Sequence, residues 1–180
     1  MKIIDNNNNE SYIVGWIAQR TAIEYGVSPS VAKQIRIAAT LHDVGKHKLP
    51  DKILNKPGRL NEREFGIIKS HTILGAEILS GFHGGFKEMA KKIALFHHER
   101  YDGGGYWGIR TEELPYYVPI VAISDVFTAL VSKRPYKHAW PTDEAIEYIN
   151  NKAGTQFCPD LTKMFIALIG RNGLKQALGR

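Results

Sequence analysis

"AATLHDVGK", Ala38 to Lys46, ends the apolar face of a helix on two polar residues. Counting back from His42 at helical spacing reaches Ala38, Ile35 and Val31, so the imidazole lies on the stripe that should face a core. The interruption recurs along the chain. "EMAKKIALFHH" aligns His97 with Ala90, Ile93 and Ala94, and "VPIVAISDVFTAL" aligns Asp125 with Val118, Val121, Ala122 and Ala129. His71 stands one turn after Ile67 and Ile68 and one turn before Leu74.

A single buried polar side chain ordinarily finds a hydrogen-bond partner. Taken together, these residues bring carboxylates and imidazoles into one interior, where an uncompensated carboxylate is costly or becomes neutral. Bound cations resolve the conflict by neutralising Asp43 and Asp125 and accepting the lone pairs of His42, His71, His97 and His98. Neighbours on a helix point about 100° apart, so His42-Asp43 and His97-His98 cannot each serve one cation from mid-helix. Placing the pairs at helix ends, or two cations about 3.5–4 Å apart with Asp43 between them, removes the difficulty. Two divalent metals are expected. Nitrogen and oxygen donors without thiolate favour iron or manganese over structural zinc. His47, His83 and His138 sit in polar or loop settings and read as surface residues, and Cys158 reads as a small buried hydrophobe.

The rest of the chain is helical in pattern. A first helix is expected over about 10–25, ending at Gly26, with the asparagine run Asn6 to Asn9 as a frayed entry. A second opens with Ser28 as N-cap and Pro29 as its first residue. "LPDKILNKPGRLNEREF" predicts a short helical turn, a Pro-Gly turn, and a helix capped by Asn61 with Glu64 completing a capping box. That helix reaches Ser80, bent near His71 and Gly75. Further helices are expected near 85–98, 118–132 and from Pro141 or Thr142 to about 152, with a last one at about 159–170. The long glycine-rich loop "ERYDGGGYWGIRTEELPYY" suggests function more than filler. The expected architecture is an all-α, single-domain helical bundle over residues 1–180.

The 180 residues, 43% hydrophobic, suffice for one core. Apolar runs such as "FIALIG" fall far short of the roughly 20 residues that cross a bilayer, and no basic-then-apolar leader opens the chain. One cysteine excludes an internal disulfide framework, so a cytoplasmic, membrane-free protein is expected. The formal charge of +6 suits polyanionic ligands and equally a solvated lysine surface. No basic run interleaved with aromatics supports duplex nucleic acid. No separate sensory domain is expected from this stretch of sequence, so regulation is expected to come from a partner, from metal oxidation state or from a further region.

The series "LHDVGKHKLPDKILNKPGRLNEREFGIIKSHTILGAEIL", "IALFHHERYDGGGYW", "IVAISDVFTALVSKRPYKHAW" and "AGTQF" resembles the HD-GYP domain, a branch of the HD phosphohydrolases, over roughly Ala38 to Cys158. The resemblance implies an all-helical fold and hydrolysis of cyclic di-GMP to linear pGpG or GMP. It implies metal ligands at His42, Asp43, His71, His97, His98 and Asp125, a family lysine at Lys46, phosphate contacts at Arg134 and Lys137, and the signature tyrosine at Tyr106. A metal-activated hydroxide is the expected nucleophile, with Lys46 stabilising developing charge and Arg134 and Lys137 orienting phosphate. Lys137 fits a solvated surface role equally well.

Several positions depart from the family pattern. Glu10 stands where many members carry a first-helix histidine ligand; it is either an oxygen ligand or a surface residue. Trp107 replaces the signature proline, Pro119 a common arginine, Thr128 a frequent aspartate and Cys158 the aspartate of a Phe-Asp-Pro motif. These changes bear on substrate choice, a third metal and catalytic competence. The alternatives are another HD-type nucleotide phosphohydrolase, or a weakened cyclic-dinucleotide receptor that recruits a signalling protein through the 103–110 loop, anchored by Trp107.

Overall fold

Apolar residues at three- and four-residue intervals build an all-helical structure. The computed structural model describes residues 6–133 and 138–177, with side chains over 10–133 and 138–171. Its helices are α1 (Asn6–Glu24), α2 (Pro29–Ala39), α3 (Asp51–Leu54), α4 (Glu62–Lys69), α5 (His71–Ser80), α6 (Lys87–Phe96), α7 (Tyr117–Val131), α8 (Thr142–Asn151) and α9 (Pro159–Ala177). 3₁₀ turns cover Val44–Lys48 and Thr111–Glu113. Among the described residues there is no strand, only the isolated bridges Arg100–Arg110 and Ala153–Phe157.

α1 lies against α2, α7 and α9, while α6 joins α2, α5 and α7. Alanines at 18, 22, 32, 38 and 39 are fully buried, and such small side chains let backbones approach closely. Ile17, Ile35, Ile93, Ile120, Phe127, Phe165 and Ile169 fill the interior between them. Phe127 and Phe165 meet edge to face with ring centroids 5.4 Å apart.

Most helix boundaries match the sequence pattern, and the differences have local causes. α1 starts within the asparagine run rather than after it. Asparagine's helix propensity is only a few tenths of a kcal/mol per residue poorer than that of good formers, a small cost for extending an existing helix. Ser28 occupies the N-cap of α2, but its hydroxyl pairs with that of Ser30 at 3.2 Å and caps no backbone N–H. Asn61 forms the expected capping box with Glu64, each side chain meeting the other's backbone N–H at 2.9 Å. The break in the long helix falls at Ser70, which closes α4 and opens α5; Gly75 lies inside α5 without ending it.

The turn after α2 positions the polar residues. Gly45 sits at the start of α5 so closely that a Cβ there would collide with the His71 carbonyl oxygen and lie 2.5 Å from the Gly75 backbone nitrogen. Both obstacles are backbone and cannot rotate away. Gly45→Ala is expected to destabilise the protein by at least about 1–3 kcal/mol, the usual cost of overpacking, as read from the urea unfolding midpoint.

Candidate metal centre

Three histidines share one local device. His42 follows α2 and its Nδ1 lies 2.7 Å from the Ala39 carbonyl oxygen. His71 opens α5 with Nδ1 2.6 Å from the oxygen of Ile68. His97 caps the C-terminus of α6, with Nδ1 3.0 Å from the oxygen of Ala94. A carbonyl can only accept, so each Nδ1 carries the proton, and in the neutral ring Nε2 presents a lone pair. The backbone of the preceding turn thus fixes both tautomer and aim.

Those lone pairs converge on Asp43. Its Oδ1 lies 3.3 Å from His71 Nε2 and 3.6 Å from His97 Nε2, and its Oδ2 lies 3.2 Å from His42 Nε2. Lys46 donates to the same Oδ2 at 2.5 Å. Asp125, from α7, places Oδ1 3.5 Å from His42 Nε2. The His98 ring lies tilted against that of His97, with centroids 4.0 Å apart. Among the described residues, Asp43, His71, His97 and His98 each offer a donor atom within 4.8 Å of the others. His42 and Asp125 adjoin that group through Asp43.

Both adjacent pairs stand at helix ends. His42-Asp43 lies between α2 and the 3₁₀ turn, and His97-His98 lies where α6 stops, so neither pair is held to the 100° spacing of a helix interior.

The donor set fits a cation. His71 Nε2 and His97 Nε2 are 3.4 Å apart, with lone pairs facing when both rings are neutral. His42 Nε2 and Asp43 Oδ1 are buried and lack an aligned hydrogen bond. Polar atoms of this kind are expensive in an interior unless something positive lies between them. The proton affinities divide the set, with a proton on His42 filling the place of a positive charge beside the two aspartates and His97 and His98 disposed to stay neutral. Burial alone would push the His42 imidazole down, but the carboxylates of Asp43 and Asp125 outweigh it and raise it to about 10. Burial would raise both aspartates, yet the imidazoles, His42 foremost, hold each well below the usual carboxylate range. Burial lowers His97, and with the neighbouring His97 charge brings His98 down to about 2, keeping its ring neutral. A neutral ring is the form that can ligate.

Tyr106 reaches the centre from the glycine-rich loop, its ring tilted on that of His98 at 4.4 Å. Burial and the nearby Asp43 and Asp125 charges push its phenol upward. Beneath the loop a cavity of about 190 Å³ is lined in part by His98, Gly105, Tyr106, Val126 and Phe157.

Glu10 stands half-buried in α1, outside the four-residue group. Arg134 and Lys137 lie outside the described residues. His47, His83 and His138 are exposed, as expected. The departures from the family pattern have visible settings. Trp107 remains 41% exposed although its indole N–H donates to the Leu95 carbonyl at 3.2 Å. Pro119 occupies the first turn of α7, where a missing N–H is tolerated. The buried Thr128 donates its hydroxyl to the Ser124 carbonyl at 2.7 Å. Cys158 packs half-buried against the core.

The residue that sequence reasoning passed over is Glu99. It is 2% exposed, and its two carboxylate oxygens accept the backbone N–H groups of Trp107 and Ile109, each at 2.8 Å. Its position directly after the histidine pair and before the glycine-rich run was the available signal. Gly105 passes so close that a Cβ would lie 2.6 Å from the Glu99 Cα. Tyr106 therefore sits between two fixed points.

An HD-domain family model matches residues 3–161. A protein from Thermotoga maritima named a cyclic di-GMP phosphodiesterase is 44% identical over 156 residues, covering 86% of this chain and 42% of that protein. A Vibrio cholerae protein named 3′3′-cGAMP-specific phosphodiesterase 2 is 39% identical over 154 residues, covering 85% of this chain and 30% of that protein. The chain spans less than half the length of these curated relatives. A solved structure of an HDGYP protein from Bdellovibrio bacteriovorus superposes with a TM-score of 0.72 at 19% identity, over 92% of this chain and 53% of that one, a likeness of fold.

Replacing Glu99 by Gln swaps one acceptor oxygen for an amide that cannot accept. One part-buried N–H then loses its partner, at a cost of about 1 kcal/mol. Native-state hydrogen exchange should show protection at Trp107 or Ile109 falling roughly tenfold while the amides of α2 and α6 stay protected.

Proposed function

The chain belongs to the HD-domain family, and from that premise we propose that it is a metal-dependent phosphodiesterase that hydrolyses cyclic di-GMP to linear pGpG or GMP. The observation that carries the proposal is the convergence of the Nε2 atoms of His42, His71 and His97 on the two oxygens of Asp43. His98 and Asp125 extend the set, and the names of the relatives support the cyclic dinucleotide as substrate.

We assign the metal ligands to His42, Asp43, His71, His97, His98 and Asp125. Two cations are proposed because Asp43 turns one oxygen toward His71 and His97 and the other toward His42. Iron or manganese suits this nitrogen and oxygen set. When bound, such cations neutralise phosphodiester charge and lower the pKa of water. The protein does the rest by positioning. The Nδ1–H bonds hold three rings in one orientation, and Glu99 holds the loop that sets Tyr106 on His98. Tyr106 keeps its phenolic proton and can donate it as a hydrogen bond to a substrate oxygen. Lys46, tied to Asp43, adds positive charge beside the reacting phosphate. In the balanced reaction, the water oxygen bonds to phosphorus, the phosphorus–sugar oxygen bond breaks, and the departing sugar oxygen takes a proton. Arg134 and Lys137 remain the proposed phosphate contacts, and Glu10 a proposed additional oxygen ligand.

Among the described residues no helix is long and apolar enough to cross a membrane. The single cysteine and an intracellular class of substrate support a cytoplasmic location. Exposure of Trp107 favours a second role for the 103–110 loop, as a contact for a signalling protein; such a partner should bind Trp107→Ala more weakly in a titration.

Protein loaded with manganese or iron(II) is expected to convert cyclic di-GMP to linear product by chromatography. His98→Ala and Asp125→Ala should each lower turnover by at least about 100-fold. Cleavage of 3′3′-cGAMP with no cleavage of cyclic di-GMP under either metal would reassign the substrate. Retained turnover in both variants would overturn the ligand set.

A further inference from the structure

A cyclic dinucleotide carries two phosphodiesters and two bases, and a centre that addresses one phosphate leaves the other charged. The rim beside the centre has groups for it. Phe65 and Lys69 stand one turn apart on α4, on one face of the helix. The Lys69 ammonium lies 5.2 Å from the centroid of the Phe65 ring and 5.2 Å from that of Tyr106. Phe65 and Tyr106 meet edge to face at 5.9 Å, and Tyr106 in turn lies on His98. The rim is thus continuous with the proposed metal ligands.

Two features set this cluster apart from ordinary helix surface. Among the described residues Lys69 has no carboxylate partner, and its ammonium lies over two aromatic rings, whereas that of Lys152 lies over one. Its charge is held over aromatic faces, an attraction that leaves ammonium protons available to an anion. Phe65 is 42% exposed at the same place, and an accessible phenyl face is a surface on which a planar base can stack.

We propose that Phe65 and Lys69 form a second substrate subsite, in which Lys69 holds the phosphate that is not being cleaved and Phe65 supports a purine. This rests on the cyclic-dinucleotide reading above. The subsite gives the enzyme a preference for substrates with two phosphates and a base over simple diesters, and it acts through binding.

The test compares cyclic di-GMP with bis(p-nitrophenyl) phosphate, a diester with one phosphate and no purine, on manganese-loaded protein. Phe65→Ala and Lys69→Met should each lower the ratio of kcat/KM for cyclic di-GMP to that for the simple diester about tenfold, through KM. Lys69→Arg, which keeps the charge, should restore most of the ratio. Equilibrium binding of linear pGpG should weaken about tenfold in Lys69→Met, a readout free of turnover. An unmoved ratio in both variants, or an arginine variant that falls as far as the methionine one, overturns the subsite while leaving the phosphodiesterase reading intact. Unsubstituted protein that cleaves the simple diester but no cyclic dinucleotide overturns both.

Discussion

The structure turns on the carboxylate of Asp43 and the imidazole nitrogens that face it. Three helix ends deliver Nε2 atoms to that acid, and each ring is aimed by its own Nδ1–H bond to a carbonyl one turn back. The aiming costs little, because carbonyls at a helix C-terminus lack intrahelical partners and accept readily. The convergence costs much more, since lone pairs and carboxylates crowd where water is scarce. A site of this kind favours a multivalent cation over any neutral occupant, so its chemistry follows from its electrostatics.

Helix ends supply a geometry that helix interiors cannot. At the close of α2 and of α6 the backbone leaves helical register, so consecutive residues can both turn inward. The 3₁₀ turn after Asp43 then brings Gly45 onto α5, which seats Asp43 over His71. α7 brings Asp125 to the same place while burying nearly all its other inward residues. The remainder of the bundle holds these three ends and the middle of α7 in mutual register.

Much of this was legible in the sequence because the ligand candidates violate a strong pattern. His42, His97 and Asp125 interrupt apolar stripes whose other members, Ala38, Ile93 and Val121 among them, are fully buried. Asn61 and Glu64 announce a helix start by chemistry that needs only three residues of context. Glu99 was not legible in this way. Its place between the histidine pair and the glycine-rich run hinted at a role, but its partners, the backbone N–H groups of Trp107 and Ile109, carry no sequence signature of their own. Gly45 was equally silent, since the need for a missing side chain arises only when α5 arrives from another part of the chain. Phe65 and Lys69 look like an ordinary solvent-facing pair until Tyr106 is folded over them. Ser28 shows the opposite error, a residue type suited to capping that spends its hydroxyl on Ser30.

The clamp at Glu99 also limits how the chain can vary in length. Surface loops commonly absorb extra residues at small entropic cost. The span from Glu99 to Ile109 is a ring closed by two hydrogen bonds, with Tyr106 at a set place along it. An insertion there would shift the tyrosine off His98 or leave a buried acid without its amides. The exposed 81–85 connection between α5 and α6 has no comparable closure to the centre, and is the better place to graft a tag or a reporter.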